Sequence, residues 1–383
     1  MRDITKALLL ATLLPIIVLG AQACRGGRDV PAERRLNIVA FLPVSGALEK
    51  FATPCMTGAR LAARRPGAPI PTEVILQDNA PGDFNSEVSL RRLLATRGIQ
   101  AVLVGMTSDQ AKREGKAATR LSLPIIAPTA TLDSLTEDVG PNLFRTCFSD
   151  AVQGRALAKY TVQGLNCRRP VIVVDSASSY SKGLAESATT ELKRLGVQPV
   201  GTSSYAENER SFRVLVGNIA RLGVGCVVAT GNYPEVGPLV REMRAQNLRI
   251  PVIGGDGLSN PAIGELIGPP IGDVFLTNHF SEAEDAPAVR GFAAEYRTAT
   301  GQPADASSAL CYDAVTALQT AAASIAPGQE ITAARILAAL PGTSVQGVTG
   351  LLRFGPDRTA RKSIVVERVL DRGFGFVTRI TPE

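Results

Sequence analysis

The chain of 383 residues is too long for one ordinary hydrophobic core and suits two lobes of roughly 100–200 residues each. Hydrophobic residues make up 45% of it and charged residues 20%, which excludes a disordered or fibrous protein. The net charge is +6, but the pairs Arg64-Arg65 and Arg168-Arg169 are too short to be the basic stripe that a phosphate backbone needs, so we expect no nucleic-acid partner.

The chain begins with the pattern of an export signal. Arg2 and Lys6 precede an apolar run over 7–20, which is too short for a membrane span and typical of a signal peptide. Residues 1–23 are therefore predicted to be a signal peptide, and the protein is expected in the periplasm or the cell envelope.

Two outcomes stay open at the cleavage site. The A-x-A pattern at 21–23 fits ordinary cleavage and release. Cys24 follows a small residue, as the acylated cysteine of a bacterial lipoprotein does, which makes Cys24 a lipidation candidate. Residues 24–35, polar and containing Gly and Pro, would then act as a tether.

Export places the remaining five cysteines in an oxidising compartment. Because five is odd, at least one stays unpaired, and most are expected to be small buried hydrophobic side chains. A Cys167–Cys226 bridge is the one pairing that the positions suggest, since both cysteines stand at the start of predicted strands in the same lobe.

Short apolar runs alternate with helical patterns along the chain. The predicted strands are 36–42, 73–77, 101–104, 124–126, 143–146, 171–174, 198–201, 226–229, 252–254 and 274–277. One intervening helix shows apolar residues at i, i+3, i+4 and i+7, at Val236, Leu239, Val240 and Met243. The end of the chain predicts helices over 286–300 and 307–325, then β-rich segments at 364–369 and 374–380.

Strands separated by helices indicate βαβ units and parallel sheets. The rhythm runs from 36 to about 145 and starts again near 150, which predicts an α/β protein with two Rossmann-like lobes. We expect lobe 1 to comprise 36–146 plus 278–361, and lobe 2 to comprise 147–277 plus 362–383. The chain would then cross between the lobes three times, near Thr146, Thr277 and Lys362, which makes a three-strand hinge.

Ligands of such sheets bind beyond the carboxyl ends of the strands. The segments there are rich in Ser, Thr, Tyr and Gly and contain a single carboxylate, Asp256. Hydroxyl and backbone N–H groups suit a ligand carboxylate, and one Asp suits a ligand ammonium group. The sequence therefore predicts a zwitterion site.

Enzymatic interpretations have little support. The single histidine, His279, would have to serve any Ser-His-Asp triad, but no G-x-S-x-G segment occurs, and we expect His279 to be structural. Clustered His and Cys for zinc are absent from the sequence, as is a phosphate-binding P-loop. We predict no catalytic residues, no metal and no cofactor.

The sequence resembles the branched-chain amino-acid (Leu/Ile/Val) binding proteins of ABC importers, which are type I periplasmic binding proteins. The resemblance covers about 36–380 and rests on the order and spacing of segments that are each weak alone. They are 42–46, 57–62, 76–78, 124–131 with 135–136, 180–185, 231–237, 254–257, 311–315 and 349–354.

The resemblance also implies roles for individual residues. The ligand carboxylate would be held by hydroxyl and backbone groups of the first lobe, at Thr107, Ser108, Thr129 and Thr131. The ammonium group would be bound by Asp256, and the second lobe would close through Tyr180. Phe51 would line the side-chain pocket, and Asn232 occupies the place of a second family tyrosine. Cys55 has no evident partner at the place where the family has a disulfide.

Two structural alternatives stay open: Tyr180 could do no more than pack at the start of a helix, and Thr131 could be no more than the N-cap of the following helix.

The predicted function is that of an extracytoplasmic solute-binding protein, most simply a monomer. It would trap an amino acid or related small carboxylate by hinge closure and deliver it to the membrane subunits of an ABC permease. The alternative is a ligand-sensing or peptidoglycan-synthase-regulating lipoprotein of the same fold.

Overall fold

The structure, a computed structural model, describes residues 34–46, 48–79, 86–206 and 209–381. The predicted signal peptide, Cys24 and nearly all of the predicted tether lie outside these residues. Within them, no helix is both long enough and apolar enough to cross a bilayer.

The described strands and helices alternate along most of the chain. The strands are β1 (Leu36–Leu42), β2 (Thr72–Asp78), β3 (Ala101–Val104), β4 (Ile125–Ala127), β5 (Leu143–Arg145), β6 (Pro170–Asp175), β7 (Gly201–Tyr205), β8 (Cys226–Ala229), β9 (Val252–Gly254), β10 (Val274–Asn278), β11 (Ser344–Gly347), β12 (Gly350–Arg353), β13 (Ile364–Val369) and β14 (Phe374–Ile380). The helices are α1 (Glu49–Arg64), α2 (Ser86–Arg97), α3 (Ser108–Arg120), α4 (Leu135–Val139), α5 (Asp150–Lys159), α6 (Ser179–Arg194), α7 (Arg213–Arg221), α8 (Tyr233–Ala245), α9 (Ala262–Ile267), α10 (Pro287–Thr300), α11 (Ala306–Ala323) and α12 (Ala333–Ala339).

Two sheets organise the chain, one in each lobe. The first has the order β2-β1-β3-β4-β5 and is parallel throughout. The second has the order β14-β13-β10-β9-β8-β6-β7; it is parallel from β10 to β7, and β13 and β14 add antiparallel strands at its edge. Strands β11 and β12 form a separate hairpin.

Both sheets are covered by helices on their two faces, which explains their nearly continuous apolar strands. In β1, Ile38 and Ala40 join the core on one face, while Val39 and Phe41 join the core on the other. The residues of β6 divide in the same way between the two cores that cover the second sheet. This arrangement leaves the carboxyl ends of the parallel strands as the place where loops can bind a ligand.

Helices α1 and α11 pack closely against each other. A Cβ atom at Gly58 would lie 2.0 Å from the Ser308 carbonyl oxygen, so only glycine fits there. A disulfide between Cys55 and Cys311 joins the same two helices. The expectation that Cys55 lacks a partner was therefore wrong.

The second disulfide joins Cys167 to Cys226, as the sequence suggested. Of the described cysteines only Cys147 is free, and it is buried. The expectation that most cysteines are unpaired hydrophobic side chains was wrong, because four of these five form disulfides.

Most predicted strands coincide with observed ones, but the strand predicted at 198–201 does not. The observed strand β7 begins at Gly201 and extends to Tyr205. It is an edge strand whose residues are alternately exposed, so its Gly-Thr-Ser-Ser-Tyr sequence carries little apolar signal.

The lobe boundaries near 146, 277 and 362 stay predictions. Backbone hydrogen bonds join the chain just before 146 to the chain just before 362. The Arg145 N–H donates to the Arg358 carbonyl, and the Ala360 N–H donates to the Arg145 carbonyl.

Candidate ligand-binding cleft

A cavity of about 80 Å³ lies beyond the carboxyl ends of the central strands of both sheets. Since one water molecule needs roughly 10–15 Å³ of such space, the cavity suits a small metabolite. All eight residues predicted to bind ligand line it: Phe51, Thr107, Ser108, Thr129, Thr131, Tyr180, Asn232 and Asp256. Their contribution to ligand binding stays a prediction.

The loop after β3 forms part of the first-lobe wall. Thr107 is the N-cap of α3: its hydroxyl accepts from the Gln110 N–H, and the Gln110 side chain accepts from the Thr107 N–H. Ser108 is buried, and its hydroxyl accepts from the Leu132 N–H at 3.3 Å. Both side chains therefore fix the loop backbone.

The loop after β4 completes this wall. The Thr129 hydroxyl donates to the Met106 carbonyl at 3.1 Å, which ties the two loops together. The Thr131 carbonyl accepts from the Asp150 N–H and from the Arg145 guanidinium. Helix α4 is preceded by Ser134, so the alternative that Thr131 serves as its N-cap is wrong.

Several helices begin at the cavity. The N-cap residues of four of them line it: Leu48 of α1, Thr107 of α3, Ser178 of α6 and Asn232 of α8. The N-terminus of a helix carries a partial positive charge and N–H groups without partners inside the helix, so it attracts anions. None of the described lining residues is a lysine or arginine. A ligand anion here would therefore be held by neutral donors.

Asp256 faces these groups from the turn after β9. Its Oδ1 accepts from the Tyr180 hydroxyl at 2.9 Å, and the Tyr180 oxygen accepts from the Gly257 N–H at 3.0 Å. Burial, together with the neighbouring Asp256 charge, raises the pKa of Tyr180, so its hydroxyl stays protonated and donates. Tyr180 therefore does more than pack at the start of α6.

His279 lies beside the same carboxylate, with Nε2 3.1 Å from Asp256 Oδ2. From the sequence, His279 was expected to be structural and was not placed at the cavity. In the structure, His279 is one of the residues that line the cavity. Strand β10 was predicted correctly, so the residues immediately after it could have been added to the candidate set by the same argument that selected Asp256.

Phe51 and Tyr233 meet across the cleft. Phe51 projects from α1, and its ring lies edge-on to that of Tyr233 at the start of α8, with 5.3 Å between the ring centroids. Asn232 lies next to this pair and packs against Gly257, where a Cβ atom would come within 2.7 Å of Asn232 Oδ1. Phe51 and Asn232 thus line the cavity, and Tyr233 supports Phe51 from the other side of the cleft.

Other lining residues were not among the predictions. They are Leu48, Met106, Asp109, Ser178, Gly257, Ser259, Asn278, His279, Ala306, Ser307 and Leu310. Several come from the start of α11, which lies more than 200 positions after α1 in the chain, and no local pattern joins the two.

A match between the sequence and a family model identifies the family of this chain. A family model described as "Periplasmic binding protein" matches residues 35–373. The chain belongs to this family. Its members are solute-binding proteins rather than enzymes, and they act outside the cytoplasm, in agreement with the expected location.

Individual relatives support the resemblance to the Leu/Ile/Val-binding proteins. The chain is 28% identical to the Leu/Ile/Val-binding protein BraC3 of Rhizobium johnstonii over 293 residues, which cover 75% of this chain and 79% of the relative. A leucine binding protein of Thermotoga maritima superposes with a TM-score of 0.83 at 23% identity, covering 91% of this chain and 99% of that one. A solute binding protein of R. palustris in complex with benzoate gives a TM-score of 0.80 at 18% identity, with 91% and 97% covered. The two solved structures support the type I periplasmic binding protein fold.

Proposed function

We propose that this protein is the solute-binding component of an ABC importer and that it binds an amino acid in the cleft between its lobes. The proposal rests on one observation: the same cavity contains groups that suit an anion and a group that suits a cation. Helix N-termini, among them those of α3, α6 and α8, offer neutral donors to an anion. The Asp256 carboxylate, held by Tyr180 and His279, offers an acceptor to a cation, whereas the other lining carboxylate, Asp109, accepts from the Ser179 hydroxyl. An α-amino acid carries both charges two bonds apart.

The absence of cationic side chains among the described lining residues favours a zwitterion over a simple acid. A ligand with a carboxylate alone would place a second negative charge near Asp256 with no counter-ion, and the repulsion would cost binding energy. A ligand with an ammonium group instead forms a charge-assisted hydrogen bond to Asp256.

Closure of the lobes is supported by contacts that span the cleft. The Ser179 hydroxyl of α6 donates to Asp109 Oδ1 of α3 at 2.7 Å, and Phe51 packs on Tyr233. A ligand held by both walls adds further contacts that exist only when the lobes are close, so it shifts the equilibrium toward the closed state. The closed form would be the one that the permease subunits recognise.

The test is a thermal-shift screen against amino acids, their des-amino analogues and aromatic acids such as benzoate. A ligand at 100 times its dissociation constant stabilises the folded protein by about 2.7 kcal/mol. We expect the largest shift with an apolar amino acid and a much smaller one with the matching acid that lacks the amino group. A larger shift with benzoate or another simple acid would contradict the proposal.

The hit is then repeated with Asp256→Asn and with Asp273→Asn as a matched control. Asp273 is an exposed carboxylate paired with Arg368. Removing the partner of a buried charge costs on the order of 2–5 kcal/mol of binding free energy, so Asp256→Asn should abolish the shift and Asp273→Asn should retain it. If no compound in the screen stabilises the protein, the sensing or synthase-regulating alternative gains support.

A further inference from the structure

The surroundings of His279 set it apart from an ordinary core histidine. His279 follows β10, and Asp256 comes shortly after β9, the neighbouring parallel strand. In this pair of strands, Leu276 of β10 lies opposite Gly254 of β9. Because the two strands run side by side in this register, the residues beyond their carboxyl ends come together. The sheet itself therefore places the imidazole against the carboxylate that faces the cavity.

The orientation of the ring is fixed from several sides. It stacks on the buried ring of Phe148 with 3.6 Å between centroids. The His279 backbone N–H donates to Asn278 Oδ1 at 2.8 Å. The side chain is only 1% exposed, so the imidazole has no freedom to turn toward solvent.

The protonation state follows from the partners of the two ring nitrogens. Nδ1 is buried and has no hydrogen-bond partner among the described residues, whereas Nε2 faces Asp256 Oδ2. A proton on Nδ1 would leave a buried donor unpaired and would point a lone pair of Nε2 at a carboxylate oxygen. The neutral tautomer with its proton on Nε2 satisfies the one contact that exists.

We propose that His279 is a positioning residue for ligand binding: its neutral imidazole holds the Asp256 carboxylate in the cleft, in the orientation that accepts a ligand's ammonium group. The proposal rests on the amino-acid function proposed above. Tyr180 holds one carboxylate oxygen and His279 the other, and both donors are uncharged. A lysine or arginine in place of His279 would fix the carboxylate equally well but would compete with the ligand for its charge.

The charges around His279 agree with a neutral ring. Burial lowers the pKa of His279, Asp256 opposes this effect, and the more distant Lys362 adds to it. Lys362 is itself bound by Asp313 and Thr349. Protonation of the ring would place a cation about 3 Å from the carboxylate that the ligand needs, so acid should weaken binding of an amino acid.

The first experiment needs no ligand. Because His279 is the only histidine in the chain, every imidazole signal in a ¹⁵N NMR spectrum belongs to it. We expect the neutral Nε2–H tautomer at pH 7, and a lower pKa for His279 in Asp256→Asn, since that change removes the anion that favours the imidazolium. An Nδ1–H tautomer, an imidazolium at pH 7, or a titration unaffected by Asp256→Asn would overturn the proposal.

The second experiment measures the positioning effect by calorimetry with L-leucine and 4-methylpentanoate, which is leucine without its amino group. The variants are His279→Leu, which removes the donor, and His279→Gln, which keeps an N–H in a similar place. We expect His279→Leu to reduce the preference for leucine over 4-methylpentanoate at least tenfold, and His279→Gln to retain most of it. Equal losses for both compounds would show a merely structural role and would overturn the proposal.

The two proposals can fail separately. If the wild-type protein does not prefer leucine to 4-methylpentanoate, the proposed amino-acid function fails for leucine. The NMR titration still decides whether His279 holds Asp256.

Discussion

The two walls of the cleft use their polar side chains in different ways. In the first lobe, the hydroxyls of Thr107, Ser108 and Thr129 bond to backbone groups of the same lobe. On the side of the second sheet, Tyr180 of α6 and His279, directly after β10, both bond to Asp256, a side chain that lines the cavity. The hydroxyls of the first wall therefore offer shape and leave backbone donors to the ligand, and the Asp109 carboxylate of that wall accepts from Ser179 across the cleft. The second wall offers the Asp256 carboxylate.

This difference separates stability from recognition. A hydroxyl that bonds to its own backbone contributes to folding, and its removal should affect every ligand similarly. A side chain that orients Asp256 should matter most for ligands with an ammonium group. The comparison of the walls, and of the lobes behind them, can be tested by paired substitutions.

The largest expected effect concerns the two disulfides. Replacing Cys55 and Cys311 together by Ala should destabilise the protein by about 4–5 kcal/mol, and replacing Cys167 and Cys226 by about 1 kcal/mol less, because the first bridge closes the longer loop. The sequence separations are 256 and 59 residues. Urea unfolding of both double variants measures the difference.

The same variants distinguish the lobes by ligand affinity. The bridge Cys55–Cys311 lies one helical turn from Phe51 on α1 and from Ser307 on α11, and both of these residues line the cavity. We expect weaker binding when it is removed, and unchanged binding without Cys167–Cys226, whose cysteines do not line the cavity. Equal affinity in both double variants would contradict a rigid first wall.

A smaller effect concerns a carboxyl group of the first lobe that does not face the ligand. Glu114 on α3 is buried beside Asn79, and burial raises its pKa to about 8. The folded protein therefore keeps a proton that the unfolded chain loses above pH ~4.5, so stability falls as the pH rises from 5 to 8. The loss from this group is on the order of 3 kcal/mol.

Glu114→Gln removes the titrating group but keeps its shape. We expect the unfolding free energy of this variant to fall less between pH 5 and pH 8 than that of the wild-type protein, in urea titrations at both pH values. Parallel curves for the two proteins would show that burial does not keep Glu114 protonated in the folded state.

Most of the sheet architecture could be predicted because both faces of the central strands are buried. The strand Cys226–Ala229 is apolar throughout, and Leu36–Leu42 is apolar except at Asn37, so both stand out from the polar loops around them. The edge strand Gly201–Tyr205 was misplaced because half of it is exposed and its residues are small and polar. Sequence periodicity reports burial, so it fails where burial is partial.

The candidate site was predictable to the extent that it follows strand ends. Asp256 and Thr107 were found because each comes soon after an apolar strand. The pairing of Cys55 with Cys311 and the position of Ser307 depend on α1 packing against α11, which are distant in sequence. His279 lay within reach of the strand-end argument, but its contact with Asp256 depends on strand order, which a single sequence does not provide.

The smallest expected effect compares one residue from each wall directly. Tyr180→Phe removes the donor to Asp256 and leaves the Gly257 N–H without its acceptor, which should weaken amino-acid binding about tenfold. Thr129→Val removes only the hydroxyl that donates to the Met106 and Gly105 carbonyls, so it should lower the unfolding free energy by about 1 kcal/mol.

Calorimetry with the best amino acid and urea unfolding together read out both variants. Thr129→Val should change affinity by less than about threefold, because the hydroxyl that it removes already serves the backbone. If Thr129→Val weakened binding more than Tyr180→Phe, the Thr129 hydroxyl would have to exchange its bond to Met106 for one to the ligand. The first wall would then recognise the carboxylate through its side chains, and the division between a wall that shapes the cavity and a wall that orients Asp256 would be wrong.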